Sequence, residues 1–216
     1  YDSATGEEIQ SAITIVENST GNVVALAGGL GEKEISRAWN MATDTIRPPG
    51  SSIKPLAVYA PALEMGLITP ATVFDDTPID LNGSAWPSNS YNSYRGLTTV
   101  YEALQNSVNT IAVKVLRDCV TPNVSFQYLT ERFGISTDHL VVSRTDSNGK
   151  VKTDIDLSPL ALGGLTDGVS TYEMAAAYAT FPNNGMYKTP RVYLRVTSVD
   201  LDGRETVLLE NTGTSE

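Results

Sequence analysis

In RPPGSSIKPL, residues 47–56, a serine and a lysine stand three residues apart, directly after two prolines and a glycine. At a loop-to-helix junction such a serine caps the helix and the lysine faces water. The chemical alternative is a serine nucleophile with an amine beside it to take its proton. Ser-x-x-Lys decides nothing alone, because Ser147 and Lys150 repeat it in a polar turn, and Ser-x-Asn occurs at both Ser90/Asn92 and Ser107/Asn109. Context separates the copies. Ser51 and Lys54 fall at i and i+3 of an expected helix and share a face. Ser51 stands at the helix N-terminus, where the partial positive charge favours an alkoxide or oxyanion. Lys54 lies in an apolar run, where desolvation lowers an ammonium's pKa and leaves a neutral amine as base.

Histidine is not the expected base. The one histidine, His139, sits in TDHLVV, a surface turn leading into a short apolar run. The one cysteine, Cys119, can form neither an internal disulfide nor a thiolate metal site. No metal and no cofactor is expected. A formal net charge of -10 argues against a nucleic-acid partner. With 41% hydrophobic and 19% charged residues, the composition is that of a globular chain with enough apolar material for a core. No window approaches the ~18 apolar residues of a membrane span, so the chain is soluble or a piece of something anchored.

The elements that would position these residues follow from pattern. SAITIVE (11–17) and NVVALAGG (22–29) flank the turn cluster NSTG and predict a β-hairpin. Residues 32–46 look irregular or weakly helical. A helix is expected from Ser51 to Gly66, with Pro55 tolerated near its first turn and Pro61 imposing a kink or break. Residues 68–96, dense in Pro, Asn, Ser and Asp, predict a long loop. Residues 98–118 predict two helices meeting near Asn106–Val108, and 126–134 a helix ended by glycine. Residues 144–154 predict a polar turn or hairpin tip. Ser170 and Glu173 form a capping box ahead of an alanine-rich helix, and 191–210 predict a second hairpin around DLDGR. Strands at both ends with helices between indicate an α+β domain.

GSSIKPLAVYAPALEMG resembles the active-site segment of penicillin-binding proteins, the peptidoglycan transpeptidases, and is most similar to the class A, bifunctional kind. AITIVENSTGNVVALAGG resembles the two strands before that family's active-site helix. YRGLTTVYEALQNSVNTIAVKV resembles the segment with its Ser-x-Asn motif, and LSPLALGGLTDGVSTYEMAAAYATFPNNGMYKTPRVY the return to the sheet. The resemblance is colinear over roughly residues 10 to 210. It implies the family's penicillin-binding/serine β-lactamase-like α+β fold, an antiparallel sheet with flanking helices and a mostly helical subdomain. Residues 1–10 are then a linker or domain edge and 11–216 the transpeptidase domain.

The resemblance also implies roles. Ser51 attacks a stem peptide's penultimate D-alanine and Lys54 takes its proton. Ser107 relays a proton toward the leaving amine, and Asn109 hydrogen-bonds Lys54 and the substrate amide. β-Lactams mimic the donor and acylate Ser51. A glycosyltransferase domain precedes this one in the parent, which is anchored on the extracytoplasmic face of the bacterial membrane. No good match exists for the family's third motif, Lys-Thr/Ser-Gly. Lys188-Thr189-Pro190 lacks the glycine, Lys152-Thr153-Asp154 lies in the polar turn, and NTGTSE (211–216) has Asn211 where the lysine belongs. Two expectations follow: the motif strands lie outside this chain, for instance on a companion fragment, or Thr212, Gly213 and Thr214 serve as a shortened substrate-binding motif. Trp86, with Tyr91 and Tyr94, either lines the donor cleft or packs its own loop. The alternatives in function are a non-catalytic relative that binds wall peptides or partner proteins, and a D,D-carboxypeptidase or β-lactamase of the same superfamily.

Overall fold

Apolar residues in the middle of the chain recur at helical spacing, and there the structure, a computed structural model describing residues 6, 9–33, 35–81 and 83–213, concentrates its core. The chain forms two compact units, one from residues 47–169 and one from 1–46 with 170–216.

Within 47–169, the helix expected from Ser51 is a composite. A 3-10 turn, Gly50–Ile53, runs into a π-helical turn, Pro55–Tyr59, and then an α-helix, Ala60–Glu64. The expected disturbance at Pro61 lies where the π turn gives way to α. Proline has no N–H to give the Ala57 carbonyl one turn back, and the buried Ser125 hydroxyl donates to that oxygen at 2.6 Å instead. Ile53, Leu56 and Val58 from this composite bury against a core shared with Ile111, Leu116, Leu129 and Leu160.

Helices Val100–Gln105 and Asn109–Val115 meet where the sequence places their junction. Two expectations need correction. The loop expected at 68–96 contains strands: Val73–Asp76 pairs antiparallel with Gly96–Thr99, and Ile79–Leu81 with Ser84–Trp86. Its Asn82-Gly83 pair is a hairpin signal that the surrounding polar residues obscure. The helix expected at 126–134 starts earlier, as Pro122–Gln127, with proline in its first turn, and continues as a π turn, Tyr128–Arg132. A further helix, Leu157–Leu162, is capped by the Asp156 side chain. His139 is half-buried, in a turn.

In the other unit, Ile13–Val16 pairs antiparallel with Val23–Ala27, and Arg195–Val199 with Glu205–Glu210, both as the sequence indicates. Val23 N–H donates to Arg191 O at 2.9 Å, tying the first hairpin to the chain leading into the second. Helix Thr171–Ala179 packs on the Ile13–Val16 strand, and both bonds of its Ser170/Glu173 capping box are present.

Candidate active site

Two pieces of local structure bring the serine and lysine into register. Gly50, at φ +57°, turns the chain into the 3-10 turn, and Gly50 N–H donates to Gly163 O at 3.2 Å. In a 3-10 turn, residues i and i+3 eclipse, so Ser51 and Lys54 stand one above the other more closely than an α-helix would place them. Ser51 is exposed, whereas Lys54 is 1% exposed. Burial pulls the lysine's pKa down to about 8.

Lys54 Nζ donates to three oxygens: Ser107 O at 2.7 Å, Ser107 Oγ at 3.0 Å and Asn109 Oδ1 at 2.6 Å. None of these bonds runs to Ser51. Ser107 reaches the lysine with two atoms because of its backbone. It follows helix Val100–Gln105 in the left-handed region, at φ +52°. Its N–H bonds Leu104 O and the Val108 N–H bonds Ala103 O, which is the Schellman termination of a helix. Glycine is usual at that place; a serine there puts both its carbonyl and its hydroxyl on Lys54.

Asn109 opens the next helix, and each of its polar groups is held. Its N–H, which has no intrahelical acceptor, donates to Asn89 Oδ1 at 2.9 Å. Its side-chain NH2 donates to Ser88 O at 2.8 Å, which leaves Oδ1 facing Lys54. Asn89, also buried, donates to Asp76 Oδ1 at 2.8 Å. Asp76 lies at the end of strand Val73–Asp76 and is 0% exposed. Its carboxylate also accepts from Thr110 Oγ1, from Tyr91 OH at 2.9 Å and from Arg95 N–H at 2.9 Å. Burial alone would raise this carboxyl, but the bonds from Thr110, Asn89, Arg95 and Tyr91 hold it below the usual carboxylate range. Tyr91, half-buried, is correspondingly pushed up to about 12, by burial first and by Asp76 second. The sequence gives no sign of Asp76 or Asn89 as part of the site, because their importance arises only when strand, loop and helix meet.

Trp86 is half-buried, pairs with Ile79 and stands two residues before Ser88. Tyr91, with its hydroxyl on Asp76 and its ring under the Arg95 guanidinium, packs its own loop. Thr212 and Gly213 belong to the other unit, where Thr212 helps line an open cavity of about 550 Å³ with Arg191, Arg195, Glu205 and Glu210. Thr214 lies outside the described residues. The competing Ser147/Lys150 pair lies in an exposed turn, where the Asn148 and Lys150 N–H groups bond Asp146. Among the described residues there is no cluster of side chains fit to hold a metal ion.

This geometry constrains proton traffic at Lys54. An ammonium has three hydrogens for its three acceptors. A neutral amine has two hydrogens and a lone pair, so one of the three contacts must be given up or reverse its direction. Only Ser107 Oγ carries a proton with which to do so.

A family model described as the penicillin binding protein transpeptidase domain matches residues 11–211. Penicillin-binding protein 1A of Clostridium botulinum (strain Hall) is 37% identical over 211 residues, covering 93% of this chain and 23% of that protein. The protein of the same name from Clostridium novyi is 38% identical, covering 94% of this chain and 22% of its own length. The chain thus spans about a quarter of the curated relatives it matches. The crystal structure of penicillin-binding protein 1A from Haemophilus influenzae superimposes with a TM-score of 0.74 at 28% identity, covering 95% of this chain and 28% of that one.

Proposed function

The chain belongs to the penicillin-binding protein transpeptidase family, with its α+β fold, and from that premise we propose that it is a serine acyl-transfer module that cross-links peptidoglycan stem peptides. The observation that carries this reading is a lysine buried one 3-10 turn behind an exposed serine and bonded to Ser107 and Asn109. A lysine serving only as surface charge would not be taken out of water.

Ser51 Oγ attacks the carbonyl of the penultimate D-alanine while neutral Lys54 takes its proton. The Ser51 N–H, free at the start of the turn, faces the developing oxyanion. Ser107 passes a proton to the departing nitrogen as the C–N bond breaks, and the terminal D-alanine leaves. An amine from a neighbouring stem then attacks the ester, forms the new amide, and Ser51 regains a proton. A β-lactam supplies a cyclic amide whose leaving nitrogen stays tethered, so the acyl group remains on Ser51. In the parent protein this module follows a glycosyltransferase domain and works at the extracytoplasmic face of the membrane. Among the described residues, no helix is long and apolar enough to cross a membrane.

Intact-protein mass after incubation with a penicillin tests the reading. One stable adduct is expected on this chain and none on Ser51→Ala. A folded chain that takes no adduct overturns catalysis by this chain and favours a module that only binds wall peptides. Release of the adduct by water alone, with turnover, points to hydrolysis as the second step.

A further inference from the structure

We propose that Asp76 is a positioning residue for Lys54, acting through Asn89 and Asn109. The line of contacts is continuous: Asp76 Oδ1 accepts from Asn89 Nδ2 at 2.8 Å, Asn89 Oδ1 accepts from Asn109 N–H at 2.9 Å, and Asn109 Oδ1 accepts from Lys54 Nζ at 2.6 Å. Each amide along it has only one orientation that satisfies both neighbours. Asn89 must turn its NH2 to the carboxylate, so its oxygen faces the helix start. That contact fixes where Asn109 begins its helix, and with Ser88 O on its NH2, Asn109 has only its oxygen to offer the lysine.

Asp76 holds more than Asn89. Its Oδ1 also takes Thr110 Oγ1, from the residue after Asn109, and its Oδ2 takes Tyr91 OH and Arg95 N–H. One buried carboxylate therefore collects the 88–95 loop and the first turn of the Asn109–Val115 helix, the two elements that build the Asn109 side of the site. A carboxylic acid or an amide at 76 would present a donor where four donors already converge. The titratable and charged groups around this line are few. Tyr91 touches Asp76 directly, the Arg95 side chain lies over the Tyr91 ring, and Lys114 reaches the neighbouring Asp75 O and Thr77 Oγ1.

This role rests on the acyl-transfer reading, but its test does not need turnover. The chain is labelled with 13C at the lysine side chains, and the Lys54 resonance is identified by its absence in Lys54→Arg. Its titration is then followed in the parent, in Asp76→Asn and in Asp154→Asn. Asp154 is an equally buried carboxylate, bonded to Val141 N–H and Thr166, with no contact to the Lys54 line. Losing a fixed oxygen and a negative charge disfavours the ammonium, so Asp76→Asn should lower the Lys54 pKa by about one unit. Asp154→Asn should lower the melting temperature and leave the Lys54 titration where it is. An unmoved Lys54 in folded Asp76→Asn overturns the proposal, as does an equal shift in Asp154→Asn. If Asp76→Asn does not fold, Asn89→Ala cuts the same line at its middle and should give the same downward shift. Loss of folding in both variants makes the carboxylate a purely structural group and also overturns it. Penicillin adduct formation, scored in parallel, reports on Ser51 chemistry alone: no adduct with a shifted Lys54 refutes the function and leaves the positioning intact.

Discussion

Ser107 occupies a place that helix termination usually gives to glycine, and the consequences run in opposite directions for folding and for chemistry. A non-glycine residue at φ +52° carries strain of about 1–2 kcal/mol. Ser107→Gly should therefore leave stability unchanged or raise it by up to about 1 kcal/mol in denaturant unfolding. The same change removes the one hydroxyl that can reverse its bond to Lys54, and the rate of penicillin adduct formation should fall about 10²-fold or more. A residue that gains stability when it loses function is one retained for function. Lys54 makes a second prediction at this scale. Its amine must be neutral to accept the Ser51 proton, and its pKa lies at about 8. Adduct formation should rise with pH through that value and level off above it, read as initial rates across a pH series. Because the fold lowers this pKa from its ordinary 10.5, the unfolded chain holds the extra proton between the two values. Lys54 thus contributes stability that grows as pH rises through that window.

Elements matter here chiefly where they are interrupted. The composite helix behind Ser51 keeps its line past Pro61 because Ser125 donates to the Ala57 carbonyl. Ser125→Ala leaves that buried oxygen without its side-chain donor and should cost about 1–3 kcal/mol in chemical denaturation. Gly163 is a second fixed point. It stands at φ +75°, and a Cβ there would come within 2.0 Å of Gly50 O, beside the nucleophile. Gly163→Ala should destabilise the fold by about 3 kcal/mol or more, seen as a large drop in melting temperature. How far these features can be read from sequence depends on their range. The capping box at Ser170, both hairpins of the second unit, the junction at Asn106–Val108 and the burial of Lys54 follow from neighbours within a few residues. The strands inside 68–96 do not, because their pairing partners lie across polar loop residues whose local signal is stronger. Helix Leu157–Leu162 is short and has Pro159 in it, which masks the Asp156 cap. Asp76 is the clearest case: in VFDDTP it is an ordinary acidic residue, and only its four donors from two elements distinguish it from Asp75.

At the scale of the molecule, apolar burial is uneven. Of the buried apolar residues described, all but Ala42, Ala176, Ala177 and Tyr187 fall between 47 and 169. The other unit instead leaves Ile13, Ile15, Val24, Val199, Leu208 and Leu209 well exposed along its strands. Amides of the Asn109–Val115 helix should thus exchange with deuterium far more slowly than those of Arg195–Val199 and Glu205–Glu210, in a native-state exchange experiment. Among the described residues these strands pair only within their hairpins and through the Asn22–Arg191 bridge, which leaves edges that are a liability for self-association. The core unit, 47–169, is a single contiguous stretch of chain. Its first and last residues, Arg47 and Val169, are bridge partners: each N–H donates to the other's carbonyl, at 3.0 and 2.9 Å. A contiguous segment that leaves and re-enters at adjacent points behaves as a cassette, closed on itself by its own ends. Excised as residues 47–169, it keeps Ser51, Lys54, Ser107, Asn109 and the Asp76 line in one piece, free of the aggregation-prone strands. Its ends are near enough for a short linker to join them and for new termini to be opened in a surface turn such as the one at Asp146–Lys150.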